Sequence, residues 1–121
     1  MAWLDGEIMV VDDDQGILES FDAMLGDDYT LVTLDNGFEA IEYMKSHKPK
    51  LIFLDIKMPG MNGIEVLKRL RQSKVDAAVV IVTATTKAHY EEEAEELGIT
   101  GYLHKPFEVD DVEDITRRVL H

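Results

Sequence analysis

The sequence predicts one α/β domain with a buried parallel sheet of five strands. Two observations carry this. Apolar runs rich in β-branched residues alternate five times with stretches of helical period, and no internal repeat or Pro/Ser-rich linker interrupts the alternation. The length, 121 residues, is sufficient for one hydrophobic core and leaves little room for a second domain, so residues 1–121 are expected to form a single unit.

The elements follow in order. A first strand is expected over Ile8–Asp12, followed by a helix whose apolar stripe is Ile17, Phe21, Met24 and Leu25. Thr30–Leu34 is the second strand, and Ala40, Ile41 and Met44 mark the next helix. Leu51–Asp55 is the third strand. After the Pro59-Gly60 turn, Asn62 with Glu65 three residues on reads as a capping box for a helix that buries Ile64, Leu67 and Leu70. Ala78–Thr83 is the fourth strand; its helix carries Ala94 and Leu97 and stops at Gly98. Gly101–His104 and a helix with Val112, Ile115 and Val119 complete the pattern. Helices on both faces should cover the sheet fully.

Composition narrows the function. Twenty-five acidic residues against twelve basic ones give a formal charge of −13, which repels phosphate backbones and anionic lipid, so direct binding to nucleic acid or membrane is not expected. With no cysteine, disulfides and thiolate metal sites are excluded. The first eight residues contain acids where a signal peptide carries lysines, and no apolar run reaches membrane-spanning length, so a cytoplasmic location is expected.

In a parallel sheet with right-handed crossovers, the strand C-terminal ends share one edge, and ligands bind there. The residues leaving those ends are Asp12, Asp13 and Asp14, then Asp55, then Thr83, then Lys105-Pro106. Converging carboxylates repel one another unless a cation sits among them, and a hard divalent ion that keeps several waters, Mg2+, suits so few protein oxygens better than Ca2+. A carboxylate nucleophile, a hydroxyl and an ammonium around such an ion are the parts of a phosphoryl-transfer site. On this reading Asp55 is the nucleophile, the acids near Asp13 hold the metal, and Thr83 and Lys105 contact phosphoryl oxygens.

Four blocks carry a resemblance: Ile8-Met-Val-Val-Asp-Asp-Asp14, Leu51-Ile-Phe-Leu-Asp-Ile-Lys-Met-Pro-Gly-Met-Asn-Gly63, Val80-Ile-Val-Thr-Ala84 and Gly101-Tyr-Leu-His-Lys-Pro-Phe107. Together, in order and spacing, they resemble the receiver domains of two-component response regulators. The resemblance implies a flavodoxin-like (βα)5 fold with strand order 2-1-3-4-5. It implies that Asp55 is the phosphoacceptor, supplied by a sensor histidine kinase, a histidine phosphotransferase or small phosphodonors. Asp13 and Asp55 would ligate Mg2+ directly, Asp12 through water, and Lys57 through its backbone carbonyl. Thr83 and Tyr102 would act as the switch pair, Lys105-Pro106 would be cis, and the fourth helix, fifth strand and fifth helix would meet a downstream effector. Lys57 and Thr85, which border the site in the family, would tune dephosphorylation.

Other residues have plainer readings. Asp14 is an N-cap. Met58 and Met61 pack a loop, the acid run Glu91–Glu96 is a solvated face, and His47, His89, His104 and His121 show no paired ligand spacing. Competing functions are a phosphorelay intermediate, suggested by similarity to the sporulation phosphorelay receiver, a receiver cut from a longer DNA-binding regulator, and a module that binds partners without phosphorylation. A haloacid dehalogenase-type phosphatase is disfavoured because Lys57 stands where that family needs a second Asp, so no turnover of an external substrate is expected beyond slow autodephosphorylation.

Overall fold

The computed structural model describes residues 7–84 and 88–121, without the side chains of Glu7, Ala88 and His89. Its strands are β1 (Glu7–Val11), β2 (Thr30–Leu34), β3 (Leu51–Asp55), β4 (Ala78–Thr83) and β5 (Gly101–His104). Its helices are α1 (Gln15–Leu25), α2 (Gly37–Met44), α3 (Gly63–Gln72), α4 (Ala88–Glu96) and α5 (Val109–Leu120). All four strand pairings are parallel, in the order β2-β1-β3-β4-β5.

Alternation along the strands assigns the two faces. Met9, Val11, Ile52, Leu54, Val79 and Ile81 point into a core shared with α2, α3 and α4. Their neighbours Ile8, Val10, Leu51, Phe53, Val80 and Val82 point the other way, against α1 and α5. Central strands therefore read as continuous apolar runs, and every residue of β3 is buried. The expectation of a fully covered sheet fails at its edges. β2 is exposed at Thr30 and Thr33, and β5 has only Leu103 buried, because an edge strand has a neighbour on one side alone.

Two sequence expectations shift slightly. β1 ends at Val11, not Asp12; the Asp12 N–H still donates to the Leu34 carbonyl at 3.1 Å, so the chain leaves the ladder only after that bond. In α1 the buried set is Leu18, Phe21 and Leu25, with Ile17 and Met24 half-buried against the same core, so all four expected residues face the sheet and Leu18 joins them. The caps are as read: Asp14 accepts from the Gly16 N–H at 2.8 Å, and Asn62 accepts from the Glu65 N–H at 2.9 Å. Gly98 has φ +82°, where a side chain would be strained. Met58 and Met61 are buried in the α2/α3/α4 core.

Candidate functional site

Register builds the site. Val11 pairs with Leu54 and Asp55 with Val82, so Asp12 emerges beside Asp55, and Thr83 lies one residue beyond Asp55 on its other side. Thr83 pairs in turn with His104, and the Lys105 N–H donates to the Thr83 carbonyl at 2.9 Å, which places Lys105 at the same edge. Four chain segments thus deliver their chemistry to one crevice.

Asp12, Asp55 and Thr83 are buried, whereas Asp13 is exposed. One carboxylate oxygen from each of Asp12, Asp13 and Asp55 lies within 4.8 Å of the others. The Asp14 N–H donates to Asp12 Oδ1 at 2.9 Å, which fixes the orientation of that carboxylate. Asp12 Oδ2 lies 2.8 Å from Lys105 Nζ as an ion pair and, among the described residues, is the one buried side-chain oxygen left without a hydrogen-bond donor. Lys105 Nζ is also 3.6 Å from Asp55 Oδ1. Among the described residues, a buried carboxylate oxygen without a hydrogen-bond donor, set among three acids and one ammonium, fits a divalent cation with oxygen preference.

The electrostatics follow from burial. Desolvation, followed by the charge of Asp12, pushes the Asp55 carboxyl from its ordinary 3.8 to about 6, despite the opposing pull of Lys105. Burial alone would lower the Lys105 ammonium, but contact with Asp12 and the charge of Asp55 more than reverse that and hold it above its ordinary value. Lys105-Pro106 is cis, as the resemblance implies.

Tyr102 is half-buried on β5 and donates to the Glu91 carbonyl of α4 at 2.9 Å. Partial burial, with Glu95 and Glu91 nearby, raises its phenol pKa. Lys57 is exposed in the loop after β3, two residues from Asp55. Thr85 and the side chain of His89 lie outside the described residues. Of the remaining three histidines, His47 stacks on Tyr43, His104 is exposed at the end of β5 and His121 touches the Tyr29 hydroxyl at 3.1 Å; none belongs to a metal-binding cluster among the described residues.

Two contributors were not singled out by sequence reasoning. A Cβ at Gly63 would run into the Asp55 carbonyl oxygen, and the Gly63 N–H donates to the Ile56 carbonyl at 2.8 Å, so only glycine lets α3 press against the end of β3. Arg71, near the end of α3, donates to the carbonyls of Leu97 (2.9 Å), Val75 (2.8 Å), Ala77 (3.2 Å) and Gly98 (2.6 Å). It ties the start of β4 to the end of α4. The glycine directly after the Asn62 cap, at the first position of α3, could have flagged Gly63; nothing in sequence spacing points to Arg71.

A doubly wound parallel sheet with an acid-lined crevice at its strand ends, able to hold a metal ion, and with Lys105 reaching into it defines an α/β module of the kind that binds ligands at that edge. Known proteins make this specific. The family described as response regulator receiver domain matches residues 8–117, and the chain belongs to that family of two-component signalling domains. It is 33% identical to sporulation initiation phosphotransferase F of Bacillus subtilis (strain 168), a match covering 94% of this chain and 93% of the relative. It is 34% identical to the DNA-binding transcriptional regulator NtrC of Escherichia coli (strain K12), covering 95% of this chain but only 25% of that protein. Among solved structures, the Vibrio cholerae chemotaxis protein CheY4 superposes with a TM-score of 0.89 at 28% identity, covering 98% of this chain and all of that one. Among the described residues, no helix is long and apolar enough to cross a membrane.

Proposed function

We propose that the chain acts over residues 1–121 as one cytoplasmic phosphoacceptor unit, with Asp55 as the acceptor. The observation that carries this is the burial of Asp55 at the end of β3, with carboxylates of Asp12 and Asp13 within 4.8 Å and Lys105 Nζ at 3.6 Å. A carboxylate oxygen of Asp55 attacks the donor phosphorus, an O–P bond forms as the P–N bond to a donor histidine breaks, and the imidazole leaves carrying a proton. The donor is the phosphohistidine of a sensor kinase or of a histidine phosphotransferase. Asp12, Asp13, Asp55 and the Lys57 carbonyl would hold Mg2+, which supplies charge neutralisation at the phosphoryl oxygens. Lys105 supplies a further positive charge there, and the Thr83 hydroxyl donates a hydrogen bond.

Phosphorylation then shifts a population. Thr83 engages the phosphoryl group, Tyr102 exchanges its bond to Glu91, and the face formed by α4, β5 and α5 changes for a downstream effector. The protein accepts one phosphoryl group and loses it slowly by its own hydrolysis; it turns over no external substrate. A phosphorelay role is the second reading, favoured by the nearly full-length match to sporulation initiation phosphotransferase F. The match to a quarter of NtrC supports the alternative of a receiver joined to a DNA-binding output.

The test is incubation with Mg2+ and acetyl phosphate or phosphoramidate, followed by intact mass measurement of wild type and Asp55→Asn. A labile phosphoryl adduct that needs Mg2+ and is missing from the variant is expected. No adduct with any donor would favour a binding module that works without phosphorylation. Return of the phosphoryl group to a histidine phosphotransferase separates the relay role from a terminal one.

A further inference from the structure

The charge of this chain is unevenly placed. At the opposite edge of the sheet from Asp55, the ends of α2 and α3 and the segments entering β3 and β4 enclose a cavity of about 680 Å3. The five residues of β3 separate this edge from the site, a span of roughly 17 Å. Five of the chain's twelve lysines and arginines surround the cavity: Lys45, Lys48, Lys50, Arg69 and Lys74. A single acid, Asp76, joins them, in a protein with 25 acids. Lys45 pairs with Glu42 at 3.0 Å; among the described residues, the other four have no carboxylate within ion-pair distance. Cations at helix C-termini commonly complement the macrodipole, which accounts for Lys45 and Arg69. It does not account for Lys48 and Lys50, beyond α2, or for Lys74, beyond α3. Lys74 also holds φ 59°, a left-handed conformation that glycine adopts without strain.

The walls decide what kind of anion fits. Pro49, Leu70 and Ala77 are buried and apolar, and Ile41, Met44 and Val75 are half-buried beside them. Every polar side chain of the lining is exposed, so no buried polar side chain is present to read a nucleobase edge. The lining's one aromatic ring, His47, is already stacked on Tyr43 at 4.1 Å. An apolar floor with flexible cations around it suits a polypeptide that inserts apolar side chains and flanks them with carboxylates.

We propose that this groove between the ends of α2 and α3 docks an acidic segment of a partner protein carrying apolar anchor residues, at the pole opposite Asp55. The site leaves the acid-lined crevice uncovered, so a partner could be held here while Asp55 is served by another protein.

The test uses the full chain, 15N-labelled, titrated with a peptide of alternating glutamate pairs and single leucines, and with its counterpart carrying serines for leucines. The leucine peptide is expected to shift amides confined to residues 41–50 and 69–77, with binding weakened by raised salt and at least several-fold weaker for the serine peptide. Lys48→Glu and Lys74→Glu should each weaken binding by roughly threefold to tenfold. Lys74→Gly should weaken binding while raising Tm, because it removes a cation and relieves the left-handed strain, so lost binding cannot be ascribed to lost folding. Equal binding of the serine peptide, shifts spread over Lys68 and Arg117, or indifference to these substitutions would overturn the proposal. So would tighter binding of ATP at the same amides, which marks a nucleotide site. The same shifts produced by raising protein concentration alone would likewise overturn it in favour of a second copy of this chain.

Discussion

Asp55→Asn should stabilise the metal-free protein at neutral pH even though it removes half of an ion contact. The Asp55 carboxyl rises from 3.8 to about 6 on folding, because the folded state buries it beside Asp12. A group raised in this way binds its proton more tightly when folded, so its contribution to stability is fully present below about pH 4 and is lost as pH rises through about 6. At about 1.4 kcal/mol per pH unit, the whole rise corresponds to about 3 kcal/mol, an upper bound because relaxation and water entry relieve part of it. Asparagine keeps the shape and carries no charge. Urea unfolding in chelator at pH 7.5 should therefore show the variant more stable by roughly 1–3 kcal/mol, and the difference should shrink towards zero below pH 4. Magnesium should close much of the gap by stabilising wild type more than the variant. A variant no more stable than wild type at pH 7.5, or a difference that persists unchanged at pH 4, would refute the account of burial and repulsion given for Asp55.

Lys105→Gln leaves buried Asp12 and Asp55 facing each other without their ammonium, and should lower stability in chelator at pH 7.5 by roughly 2–4 kcal/mol, read by urea unfolding. Gly63→Ala drives a methyl group into the Asp55 carbonyl and should cost on the order of 2–4 kcal/mol, read as a fall in Tm, together with weaker Mg2+ binding measured by calorimetry. Tyr102→Phe removes the bond to the Glu91 carbonyl and should cost about 1 kcal/mol, with faster amide exchange in the first turns of α4. Arg71→Lys cannot reach four carbonyls with one ammonium; a loss of roughly 2–3 kcal/mol and faster exchange around Gly98–Gly101 are expected by hydrogen exchange.

The sheet was legible because its central strands are buried on both faces and so appear as unbroken apolar runs, as Leu51–Asp55 does. Asp12, Asp55, Thr83 and Lys105 could be gathered on paper because a parallel sheet sends all strand ends to one edge, and the structure brings them there. What could not be read was anything fixed by distance across the fold. Leu18 is buried beside the expected stripe of α1, and Phe21 meets Phe53 and Phe107, ring contacts between segments that local periodicity does not link. The 2.8 Å pairing of buried Asp12 Oδ2 with Lys105 joins residues 93 positions apart, a distance no local pattern reports. Arg71 carries no signal of its role in the sequence around it. Its four acceptors lie on segments up to 27 residues away, and no spacing rule links them.

Arg71 also constrains how α4 can move. Its guanidinium holds the Leu97 and Gly98 carbonyls to the same anchor as the start of β4, so the end of the helix far from Asp55 is clamped to the body of the protein. A helix clamped at one end is a cantilever. Displacement applied near the site then becomes rotation about Gly98, and its amplitude grows with distance from the clamp. The largest excursion falls on the turn that carries Glu91, the partner of Tyr102.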